Sequence, residues 1–133
     1  MKGKRIKLLK KELTKSLKSM SAGTEYQLIF FAGPAWLAGD KVNMMNKREG
    51  AVIVSGGEKY EWVSKKRNAH DWDTKGRKQK VDWLEASLKQ LDKSMAAVQN
   101  TPLVWGTAWK TPLEMALAMK DTPDVIFFMT DGL

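Results

Sequence analysis

Ile6, Leu9, Leu13, Leu17 and Met20 recur every three or four residues, with lysines on the opposite face. That period predicts an amphipathic helix over residues 4–20, with Gly23 as its C-terminal cap. A second apolar run, 26–32, predicts a strand and is broken by Gly33-Pro34; residues 33–49 read as irregular. Residues 51–55 and 58–63 flank Gly56-Gly57, the signature of a tight hairpin with positive φ at both turn positions. Residues 64–76 read as a polar loop. Val81, Leu84, Leu88, Leu91, Met95 and Val98 form one stripe and predict a long helix over 78–98. Thr111-Pro112-Leu113-Glu114 reads as a capping box opening a short helix that runs to Met119. Five consecutive apolar residues, 125–129, then predict a strand over 124–130 buried on both faces, ending in Thr130-Asp131-Gly132. Helices alternating with strands fit an α/β layered sheet in a single domain.

Composition narrows this picture only a little. The chain has 133 residues, a hydrophobic content of 43% and a charged content of 29%, as in ordinary globular proteins. No apolar run approaches the ~20 residues that span a bilayer, so no transmembrane segment is expected. The absence of cysteine excludes a disulfide scaffold and a cysteine zinc site. The net charge of +8 suggests nucleic acid until it is located. Residues 1–20 carry eight basic side chains and one acid, Glu12, while the remaining chain is nearly neutral. The excess belongs to one helix and reads as a solvated outer face, so no nucleic-acid partner is expected.

The candidate chemistry lies in two places. Gly106-Thr107 precedes the short helix, and Asp131 ends the last strand, where open α/β sheets bind ligands. A Gly-Thr loop, a Pro-Leu-Glu-Met-Ala-Leu helix and a Pro-Asp-Val-Ile-Phe-Phe-Met-Thr-Asp-Gly strand together resemble the second half of a von Willebrand factor type A (VWA) domain. The resemblance implies a Rossmann-like sheet flanked by helices and a divalent-metal adhesion site fed by three loops. These are Asp-x-Ser-x-Ser after the first strand, a threonine, and an aspartate. The threonine corresponds to Thr107 and the aspartate to Asp131. A hydroxyl and a carboxylate are hard oxygen ligands suited to Mg²⁺. Asp-x-Ser-x-Ser is absent, and Met1-Lys2-Gly3 resembles the residues that follow it. The resemblance therefore implies residues 1–133 as a partial domain, truncated at both ends, without its first strand or its C-terminal strands. It implies Mg²⁺ in the complete domain, none held by this piece alone, and a protein partner that presents an acidic residue. Trp105 departs from the usual glycine before Gly-Thr.

Other features carry less. Asp71 to Gly76 with Asp82 has a faint likeness to a calcium loop, but Lys75 occupies a ligand position and no helix precedes it. His70 stands in a polar loop and has no assigned role. The tryptophans read as core and loop packing. No cysteine, paired-carboxylate or Gly-x-Ser-x-Gly arrangement suggests catalysis, and the chain is not read as an enzyme. The expected function is a protein-interaction module of the adhesion type. The alternative is a nucleic-acid- or membrane-surface-binding domain that uses the lysine-rich first helix.

Overall fold

The computed structural model describes residues 4–45, 49–101 and 106–128. It combines three α-helices with antiparallel sheets of two, two and four strands. Helix α1, Lys4–Lys18, follows the apolar stripe, and Lys15 and Lys18 complement the negative end of its dipole. It stops short of Gly23. That glycine (φ 86°) instead turns the chain so that its N–H donates to the Ala86 carbonyl.

The expected strand over 26–32 is divided. Strand β1, Glu25–Tyr26, pairs with β8, Leu84–Glu85. Strand β2, Ile29–Phe31, pairs with β3, Ala35–Leu37, across Gly33-Pro34. Gln27 separates them. Its Oε1 accepts the Leu28 N–H and its Nε2 donates to the Asp82 carbonyl at 2.6 Å, so the side chain takes the place of a ladder partner.

The Gly56-Gly57 hairpin is as expected, with φ of 55° and 84° and Ser55 opposite Glu58. It lies inside a four-stranded meander and shares no ladder with the 25–32 segment. Strands β4 (Lys41–Met45), β5 (Gly50–Ser55), β6 (Glu58–Ser64) and β7 (Trp72–Lys75) pair in chain order. Strands β4 and β7 occupy segments read from the sequence as irregular. Both are edges, and β4 is mostly exposed, with Met44 and Met45 adjacent and open to solvent, so it carries little periodic signal. Asp73 and Lys75 lie in β7, so the faint calcium-loop likeness falls on extended backbone.

Helix α2, Leu88–Asn100, begins ten residues later than the stripe suggested. The Ser87 hydroxyl caps it by accepting the Gln90 N–H. Leu88 is 87% exposed, and Leu91, Ser94 and Val98 form the buried face. Helix α3, Lys110–Leu117, starts one residue before the expected cap. Thr111 does not cap it; its hydroxyl donates to the Trp72 carbonyl and ties α3 to β7.

Two apolar clusters hold these elements. One gathers Ala35, Trp36, Ile53, Trp62, Trp72 and Ala108 between the meander, the β2–β3 hairpin and the loop before α3. The other gathers Leu17, Tyr26, Ala86, Leu91 and Val98 between α1 and α2. Phe30 packs against both. Within the second, the Tyr26 hydroxyl meets Ser94 Oγ at 2.7 Å, so both buried polar groups are satisfied.

The expected final strand is corrected where it is described. Residues 124–128 pair with no strand among the described residues, and Phe127 is 84% exposed. All pairings among the described residues are antiparallel, so the Rossmann-like parallel sheet implied by the resemblance is not among them.

Candidate functional site

The Gly106-Thr107 loop is fixed by close packing. Gly106 has φ 113°, and a Cβ there would lie 2.5 Å from the Gly33 nitrogen and 3.2 Å from Trp72 Nε1. Gly33 is held in turn by the Trp72 indole, into which its own Cβ would run. Two glycines therefore let the loop before α3 lie directly on the β2–β3 turn.

Thr107 is held on both sides of its backbone. Its N–H donates to the Ala69 carbonyl at 2.7 Å, and its carbonyl lies 2.9 Å from His70 Nδ1. A carbonyl only accepts, so this contact places the proton on Nδ1. The next residue, Ala108, donates to the Ala32 carbonyl at 2.8 Å. His70, to which the sequence assigned no role, thus orients the threonine. Nothing in the local pattern pointed to it, because the two lie 37 residues apart. The Thr107 side chain is half-buried, and its hydroxyl makes no hydrogen bond among the described residues.

Asp131 and its neighbours Thr130 and Gly132 lie outside the described residues. The chain leading to them is described as far as Phe128. That ring stacks on Phe31 at 5.2 Å and meets Trp109 edge-on at 5.5 Å. Trp109 is two residues beyond Thr107, and Phe128 is three residues before Asp131.

No protein-family model, curated protein or solved structure matches the chain.

The electrostatic surroundings of Thr107 are plain. Among the described residues, no three histidine or carboxylate side chains gather closely enough to hold a metal ion. The side-chain oxygen that Thr107 offers to an ion is its hydroxyl. Hard oxygens of that kind fit Mg²⁺, and the engaged Thr107 carbonyl leaves its hydroxyl as the group available to coordinate.

Proposed function

We propose that the chain is a protein-interaction module of the VWA adhesion type. In this reading Thr107 and Asp131 are oxygen ligands of a Mg²⁺ site that captures an acidic residue of a protein partner. The activity is binding, and no catalytic step is assigned. The observation that carries the reading is the contact of Phe128 with Trp109. It ties the segment running to Asp131 to the loop that bears Thr107. Asp131 follows Phe128 by three residues, about 10 Å of extended chain, and the reading requires that stretch to turn toward Thr107.

The reading includes a Rossmann-like parallel sheet. The exposed Val125 to Phe128 run supports it, since those residues have the composition of a buried strand and no pairing partner among the described residues. A strand bearing Asp-x-Ser-x-Ser, joined ahead of Met1, would supply both the pairing and the remaining ligands.

Isothermal titration tests this. Residues 1–133 alone are expected to bind Mg²⁺ weakly, because two oxygen ligands compete poorly with the ion's hydration shell. Joining the Asp-x-Ser-x-Ser strand is expected to bring the dissociation constant down at least tenfold, about 1.4 kcal/mol. Asp131→Ala should then abolish binding and leave the far-UV circular dichroism unchanged. Tight Mg²⁺ binding by the 133-residue chain that survives Asp131→Ala would refute the assignment.

A further inference from the structure

The lysines of α1 are arranged in a way that their number alone does not reveal. Lys7, Lys10, Lys11, Lys15 and Lys18 line a single groove of about 460 Å³ between α1 and the end of α2. Thr14 and Gln99 complete its wall. Lys10 Nζ donates to the Gln99 carbonyl in the last turn of α2, where the helix dipole favours a cation. No carboxylate pairs with these five lysines among the described residues.

We infer that this groove binds the phosphate backbone of nucleic acid without reading its sequence. The inference goes beyond the protein-interaction reading and does not rest on it. Lys7, Lys11, Lys15 and Lys18 are spaced by about one helical turn each, and from first to last they span roughly 16 Å of helix axis. One nucleic-acid strand carries a phosphate every ~3.4 Å of axis, so about five phosphates face that span. Four lysine charges in a row, with Lys10 beside them, match those phosphates in number. Near-neutrality of the rest of the chain is no obstacle, because the contact needs one charged stripe and not a basic molecule.

A membrane surface fits the groove less well. An interfacial helix must turn its apolar face to the lipid. Here that face is occupied: Leu17 is fully buried, and Leu13 and Met20 pack with it against α2. Among the described residues no aromatic ring lines the groove, so neither base stacking nor sequence preference is expected from it.

Fluorescence anisotropy with a labelled duplex of about 20 base pairs, titrated between 50 and 200 mM salt, tests the inference. Five neutralised phosphates predict a slope near −4.5 in log affinity against log salt, roughly a 500-fold loss across that range. The variant K7Q/K11Q/K15Q/K18Q should flatten the slope to about −1. Glutamine nearly matches lysine in helix propensity, so α1 is expected to persist, and circular dichroism checks that it does. A control, K41Q/K59Q/K75Q/K78Q, removes the same charge elsewhere and should keep the steep slope. Equal flattening by both variants would reduce the effect to net charge and overturn the groove. So would absence of binding at 50 mM salt, or tighter capture by phosphatidylserine vesicles or poly-glutamate than by the duplex.

Discussion

Replacing Gly106 by alanine is expected to destabilise the fold by about 2–5 kcal/mol, combining backbone strain at positive φ with overpacking. The new Cβ would press on the backbone of Gly33, which cannot withdraw because the Trp72 indole lies behind it. Gly23 supplies the control. It has a comparable φ of 86°, but a Cβ there meets nothing within 4 Å. Gly23→Ala is therefore expected to cost only about 1 kcal/mol. Urea unfolding of both variants separates strain from crowding. Equal midpoints would mean that the Gly106 loop does not lie on the β2–β3 turn. Because Ala69 and His70 hold Thr107 immediately afterwards, the same variant should also weaken any ligand binding through that residue.

Trp62→Ala is the second large effect, at about 3–5 kcal/mol. Trp62 is 3% exposed and sits opposite Ala51 and Thr74 in the centre of the meander, packed with Ile53 and Trp72. That loss is a large part of a typical ~5–15 kcal/mol of domain stability. Trp62→Phe should be much milder, within about 1.5 kcal/mol. The indole Nε1 is buried without a hydrogen-bond partner among the described residues, and removing it offsets part of the lost volume. Matching losses for the two variants, measured by denaturant unfolding, would show that volume alone decides.

Residues with strong local chemistry were readable in the sequence. The Gly56-Gly57 hairpin needs positive φ at two adjacent positions, and few residue pairs other than glycines supply it. Helix α1 has an unbroken stripe and no competing signal. The start of α2 was misplaced because Val81, in irregular backbone, and Leu84, in β8, continue the stripe by coincidence; Val81 is buried all the same. Ser87 was the available corrective signal, as a side chain able to cap the next turn. The division of the 26–32 strand depends on what Gln27 reaches 55 residues away, which no local window contains. The 124–128 segment has the same difficulty in another form. Apolarity specifies that a segment prefers burial but not which element covers it. For the candidate site, the Gly106-Thr107 loop before α3 was legible because Gly-Thr ahead of a helix is a compact motif. His70 was not, since its role arises only when two loops are brought together.

The division of the core into two clusters joined through Phe30 has a consequence for the order of assembly. Strands β4 to β7 pair with their immediate neighbours in the chain, so that sheet closes only short loops. Docking α1 on α2 instead joins residues such as Lys10 and Gln99 that are 89 apart. Closing so long a loop has an entropic cost that must be met before the contact forms. The meander is therefore expected to mature first and α1 to dock last, with Leu17 closing the second cluster. In pulse-labelled hydrogen exchange during refolding, the amides of β5 and β6 should gain protection ahead of those contributed by Gly23 and Ala86. The groove at α1 would then be the latest feature of the molecule to appear, and local opening of α1 would remove it while the meander stays intact.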